Sequence, residues 1–176
     1  MTFLPDDYEA PAASGVNYVK FAQGKTTFRI IGSAIVGHLG WRDGKPTRSK
    51  DKLPPEGFEE KPKHFWAFLA WSSEANKVQI CEVTQRGIQD ALREFIKDPD
   101  WGDLGQYDVC VQRDGEGLET SYTVIPKPKA QLPAEAIEII KESIPKINLA
   151  ALYDGEDPFA AMAPQQTAND DDPFGL

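Results

Sequence analysis

The chain has 176 residues, enough for one domain of ordinary size with its own core plus an extension, and too few for two comfortable domains. Its formal charge of -9 argues at first against a nucleic-acid partner, which would require a basic footprint. The charge is unevenly spread, however: Lys20 to Lys63 carries ten Lys and Arg against five acids, whereas Asp154 to Leu176 carries six acids and no base, an asymmetry of the kind that accompanies interaction tails.

Residues 1 to 15 are rich in Pro, Ala and Asp without an apolar period, and read as a flexible arm. "NYVKF" and "TTFRIIGSAIVGHLGW" are β-branched and aromatic, broken by Gly24, Gly32, Gly37 and Gly40; they predict a strand, a turn and a long strand that bends or bulges at its glycines. "RDGKPTRSKDKLPPEGFEEKPK" mixes Gly, Pro and charge with no period, the mark of a long loop. "HFWAFLAWSS" is apolar on both alternating faces, and after the polar turn "SEANK" comes a further strand, "VQICEV". From Thr84 to Asp98 the period changes: Ile88, Ala91, Leu92, Phe95 and Ile96 mark one helical face, with Thr84 to cap the start and Pro99 to force the end. "YDVCVQRDGEGLETSYTVI" alternates by two around Asp114-Gly115, the strongest short hairpin signal in the chain. "PKPKAQLP" reads as a linker, "AEAIEIIKESI" as a short amphipathic helix and "INLAALYD" as one more turn.

Strands interrupted by one central helix within roughly 110 residues suit a mainly β (α+β) fold, a small five-stranded Greek-key barrel of the OB type with one or two helices. The expected division is an arm over 1–15, the barrel domain over 16–153 and a disordered acidic tail over 154–176. That tail writes an acid-Pro-Phe motif twice, in "GEDPF" and in "NDDDPFGL". Phe159 and Phe174 stand among acids, Ala, Gln and Pro, and are expected to be displayed rather than packed. Asp157, Pro158, Phe159, Asp170, Asp171, Asp172, Pro173 and Phe174 are therefore the candidate partner-binding residues.

Catalysis finds little support. His38 and His64 lie in or beside apolar strands, and with Cys81 and Cys110 they show no CxxC or HxxxH spacing that would anchor a zinc site; the expectation is no metal, no cofactor and no enzyme. Both cysteines fall inside strand-like runs and read as reduced, buried thiols. No phosphate loop, nucleophile elbow or dinucleotide fingerprint is present, since strands flank "DGEGLE" on both sides. No apolar run approaches the ~20 residues of a membrane span. "MTFLPDDYEAPAASG" lacks the positive start and apolar stretch of a signal peptide, so no membrane partner and a cytoplasmic location are expected.

Cations and aromatics are more informative. Trp41, Arg42, Lys45, Arg48, Lys50, Lys52, Lys61, Lys63, Trp66 and Phe68 fall close together, and Arg29 precedes them on the long strand. A groove for single-stranded nucleic acid needs cations to follow phosphates and flat side chains on which bases stack. In "HFWAFLAW" neither alternating face is polar, and only one can point into a small barrel. The reading puts Phe65, Leu69 and Trp71 toward the core and leaves Trp66, with His64, to meet ligand; the opposite parity stays open.

"FRIIGSAIVGHLGWRDGKPTRS", "KPKHFWAFLAWSSEANKVQICEVTQRGIQDAL", "DPDWGDLGQYDVCVQRDGEGLETSYTVIPKPK" and the acid-Pro-Phe tail together resemble the small single-stranded DNA-binding proteins of tailed bacteriophages, over roughly residues 18 to 176. The resemblance implies an OB-fold that coats single-stranded DNA during replication, recombination and repair in the host cytoplasm, with an acidic tail that recruits replication or recombination proteins. The tail is also similar to that of bacterial single-stranded DNA-binding proteins, where acids precede a terminal Pro-Phe; here Gly175 and Leu176 follow Phe174. Some larger phage relatives carry a zinc insertion with clustered Cys and His, which this chain lacks. The rivals are an acidic interaction module, such as a DNA mimic or host-enzyme inhibitor, and more weakly a DNA-processing enzyme. The near balance of 17 bases and 16 acids from Lys20 to Ala130 disfavours the first. Oligomeric state is left open.

Overall fold

A computed structural model describes residues 17 to 162 of the chain. Six strands form one antiparallel sheet: β1 (Gly24–Arg42), β2 (Lys45–Ser49), β3 (Lys63–Ser72), β4 (Lys77–Val83), β5 (Asp108–Asp114) and β6 (Ser121–Pro126). Their order is β4-β3-β1-β5-β6, with β2 paired to the far end of β1. Two helices complete it, α1 (Arg86–Lys97) and α2 (Ala134–Ser143), so the fold is mainly β as expected.

Residue chemistry explains most of these elements. β1 is long enough to serve three neighbours: β5 along residues 24–29, β3 along 29–39 and β2 along 38–42. Ile31 pairs with Leu69 and Ile35 with Ala67, so the bulge at Gly32, whose φ is +67°, inserts two extra residues and turns the strand. β5 and β6 form the hairpin that the sequence signals, but Asp114 pairs with Ser121, so the turn is not the Asp-Gly pair itself but residues 115–120, with a 3-10 turn at Gly117–Glu119. α1 ends at Asp98 before Pro99. Gln85 rather than Thr84 occupies its N-cap, and neither side chain caps a helix N–H: Gln85 instead accepts from the Thr84 backbone.

Three expectations are corrected. The stretch after Arg42 is not wholly a loop, because Asp43 and Gly44 both take positive φ, 53° and 73°, and fold residues 45–49 back as β2. "NYVKF" contributes a single bridge, Tyr18 to Ile80, rather than a strand. The sheet is also open: among the described residues β4 and β6, its two ends, do not pair. α1 packs against β6 there, and its Ile88 and Leu92 are fully buried on the sheet's concave side.

Both faces of β3 are covered. Phe68 and Ala70 join Phe28, Val109, Tyr107, Ile88 and Leu92 in the concave cluster. Phe65, Ala67, Leu69 and Trp71 are buried on the opposite face, under Ala136 and Ile140 of α2 and under Ile147, Leu152 and Phe159 beyond it. The doubly apolar strand therefore has no bare aromatic platform. A second layer, built from the residues after "PKPKAQLP", removes it from water.

Phe159 is thus no displayed residue. It is 6% exposed, edge-on to the Tyr18 ring at 5.8 Å, and Pro158 beside it is also buried. The fold continues through Met162, past the expected boundary at 153, in short 3-10 turns over Leu149–Asp154 and Ala160–Met162. The physical cause is local. The Asp157 carboxylate accepts the Phe159 N–H at 2.9 Å, a turn that leaves the acid in water while aiming Pro and Phe inward. The second copy, Asp170 to Phe174, lies outside the described residues. Cys81 and Cys110 are buried free thiols as expected, and burial pushes the Cys81 thiol up.

Candidate nucleic-acid interface

Trp66 is the hub of the most suggestive surface. It is half-buried on β3, opposite Val36 across the β1 ladder and Val83 across the β4 ladder. Its indole N–H donates to His64 Nε2 at 3.1 Å. An indole can only donate, so Nε2 carries the lone pair; the proton sits on Nδ1, which donates to the Gly37 carbonyl at 2.9 Å. The Gln89 side-chain amide donates to the carbonyls of His64 and Val83 at 3.1 and 2.9 Å, tying α1 to the ends of β3 and β4. The His64 ring is therefore held from two sides, and through it the Trp66 indole is oriented.

Three cavities adjoin around it. One of about 440 Å³ lies between β3 and α1 and is lined by Lys63, His64, Trp66, Arg86 and Arg93. A notch of about 80 Å³ shares Lys63 and Thr84 with it and adds Trp41 and Lys61. On the other side of Trp66 an apolar cleft of about 680 Å³ runs past Ile96 and Leu104 to the β1 bulge. Together they form one trench with an exposed ring, Trp41, near one end and Trp66 in the middle. Four cations, Lys61, Lys63, Arg86 and Arg93, face two carboxylates, Glu60 and Asp90, in its first two parts. Asp90 lies 3.7 Å from Arg86 and 3.8 Å from Arg93, loose exposed pairs of little strength.

The structure brings together only part of the expected set. Trp41, Lys61, Lys63, His64 and Trp66 meet in the trench. Lys45 on β2 and Lys52 beyond it are exposed but line none of its three parts. The other expected residues are engaged elsewhere. Arg29 is 4% exposed, bound to Asp108 at 2.7 Å and to the Gly105 carbonyl, and so braces β1 against β5. Arg48 grips both oxygens of Glu82 at 2.7 and 3.1 Å, fixing β2 to β4. Arg42 lies over the Phe58 ring and donates to the Gly57 carbonyl. Lys50 sits above Tyr153 at 5.2 Å. Phe68 lines the apolar cleft beside Trp66 but, at 2% exposed, belongs to the core and offers a base almost no face.

Arg86, Gln89, Arg93 and Ile96 were missed. Arg86 and Arg93 are seven apart on α1, hence on one side of it, and that spacing was a usable signal. Ile96, read as core from its period, is 53% exposed because it lies at the rim of the cleft. Among the described residues no group of His, Cys, Asp and Glu is arranged to hold a metal ion, and no helix is long and apolar enough to cross a membrane. Comparison with protein-family models, curated proteins and solved structures finds no match.

Proposed function

We propose that this chain binds single-stranded DNA without strong sequence preference and without catalysis, as the resemblance to phage single-stranded DNA-binding proteins implies. The observation that carries the reading is the trench: Trp41 and Trp66 share one path with four cations, the pairing of ring and charge that a single strand requires. A duplex would offer phosphates but no free base faces. The strand order supports an OB-type reading of the sheet, since β1 pairs with both β3 and β5 and α1 enters between β4 and β5. OB modules usually offer the outer face of their second and third strands to ligand. Here the corresponding face of β3 and β4 lies under α2 and the segment to Phe159, so the strand would run along the rim beside α1 instead. In this proposal the acidic residues 170–172 recruit replication or recombination proteins and compete with DNA for the trench, in the cytoplasm of a host cell.

Titration with oligo-dT, read by tryptophan fluorescence, tests it. Binding should quench emission, and Trp66→Ala should weaken affinity by about 5- to 160-fold, the equivalent of ~1 to 3 kcal/mol for one stacked base. Trp41→Ala should weaken it less, since that ring is 44% exposed and lines only the small notch at one end. Full affinity in both variants, with circular dichroism unchanged, would overturn the proposal.

A further inference from the structure

The molecule already contains one Asp-Pro-Phe complex. Asp157 turns the chain, Pro158 and Phe159 are buried, and the Pro158 carbonyl accepts the Asn148 N–H at 2.9 Å. Phe159 meets Tyr18 edge-on and shares its buried cluster with Ile80, Ile140, Ile147 and Leu152. Burial pushes the Tyr18 phenol up, opposed by Arg48 and reinforced by Glu82 and Asp157, so these charges stand around the rim of the seat. Tyr18 and Ile80, which form part of the seat, belong to parts of the chain remote from Phe159.

The sequence carries a second ligand of the same chemistry. Glu156-Asp157-Pro158-Phe159-Ala160 and Asp171-Asp172-Pro173-Phe174-Gly175 match as acid, Asp, Pro, Phe and a small residue. Each interaction seen at the first copy has a counterpart in the second: an Asp to accept the Phe N–H, a Pro carbonyl for Asn148, and a phenyl ring for Tyr18. We propose that the Phe159 seat is an exchangeable receptor for Asp-Pro-Phe, and that its alternative occupant is this chain's own terminal copy, Asp171 to Phe174. The inference stands apart from the nucleic-acid reading, because the seat lies on the opposite face of β3 from the Trp66 ring.

Chain length sets the balance. Three residues separate Tyr153, whose hydroxyl donates to the Val36 carbonyl at 2.6 Å, from Asp157; eighteen separate it from Asp172. Loop-closure weight falls as roughly the three-halves power of length, so the near copy should win by about fifteen-fold. The terminal copy is then a minor occupant that takes over when the first is removed or pulled away, and whichever copy is out of the seat is the one free for other contacts.

A double-mutant cycle in the full chain, read by urea unfolding, tests this. Phe174→Ala alone should change the unfolding equilibrium by less than two-fold. Phe159→Ala should cost about fifteen-fold, because the terminal copy refills the seat. The double variant should lose several hundred-fold or more, the full effect of emptying a buried phenylalanine site. A synthetic peptide of residues 168–176 should restore stability to the double variant, and the same peptide with Ala at 174 should not. Phe159→Leu in both backgrounds repeats the comparison if the Ala variant does not fold. Equal and additive effects, with Phe174→Ala harmless in the Phe159→Ala background, would overturn the proposal. Coupling that strengthens with protein concentration would assign the donor to a second molecule and overturn the intramolecular assignment.

Discussion

The salt dependence of binding offers a quantitative check on the trench, because each phosphate neutralised on a single strand contributes a log-log slope of about -0.7. If Lys61, Lys63, Arg86 and Arg93 each meet one phosphate, the slope is about -2.8, and affinity for oligo-dT falls roughly 50-fold between 50 and 200 mM salt. Lys61→Gln with Lys63→Gln removes two contacts, leaving a slope near -1.4 and a fall of about seven-fold over the same range. Both side chains are exposed and carry no ion pair among the described residues, so the substitution should leave folding intact. Lys45→Gln with Lys52→Gln supplies the control. These two lysines are also exposed, and among the described residues they carry no ion pair and line no part of the trench, so their loss should move the slope by less than one contact. Fluorescence anisotropy at four salt concentrations resolves the difference. A flattened slope in the Lys45/Lys52 variant with an unchanged one in the Lys61/Lys63 variant would place the phosphates on the β2 hairpin and refute the argument.

Arg48→Ala should cost about 2 kcal/mol in urea unfolding, since it strands the part-buried Glu82 carboxylate; Arg48→Ala with Glu82→Ala together should cost less than the sum of the two single changes. Gly37→Ala should destabilise by about 1 to 3 kcal/mol, because its new methyl would run into the Ser49 carbonyl and the Phe65 ring. Gly87→Ala, on the open side of α1 with nothing near it, should instead stabilise by about 0.5 kcal/mol, and thermal melts should show the two shifts with opposite signs. Burial raises the Tyr18 and Tyr107 phenols, Tyr107 with added repulsion from Asp103 and Asp98. A raised folded pKa means stability that is complete below the unfolded value of about 10 and is lost as pH climbs through the folded one. Unfolding free energy should therefore fall above about pH 10, and ultraviolet titration should find Tyr18 and Tyr107 ionising late; a Tyr18→Phe, Tyr107→Phe variant whose remaining titration keeps the same late component would contradict this.

Much of the fold could be read from local chemistry and much of the site could not. α1 and the β5-β6 hairpin were legible because period and turn residues are properties of neighbours in sequence. The Asp-Gly dipeptide at Asp43-Gly44 went unread, since "KPTRS" has a proline and no apolar alternation to mark it as a strand. Trp66 was found because an aromatic on a doubly apolar strand invites the question of where it points. Which cations are free could not be found that way. Arg48 and Lys61 look alike in sequence, but only Arg48 has Glu82 brought beside it, 34 residues away, by the sheet. Phe159 failed for the same reason on a larger scale: its surroundings in sequence are polar, and its partner Tyr18 arrives from the other end of the chain.

The triple duty of β1 also bears on how the protein is made. Its outer half can pair with β3 soon after synthesis, but Thr27 must wait for Cys110, 83 positions later. At ~5 to 20 residues per second a ribosome takes roughly 4 to 17 seconds to span that gap. Throughout that interval the stretch from Gly24 to Arg29 presents unsatisfied amides and carbonyls along a strand edge, and Phe28 has only part of its core, without Tyr107, Val109 and Val111. The nascent chain is then most open to pairing with its neighbours on a polysome, and slowing translation between the codons for Val83 and Asp108 would lengthen that exposure.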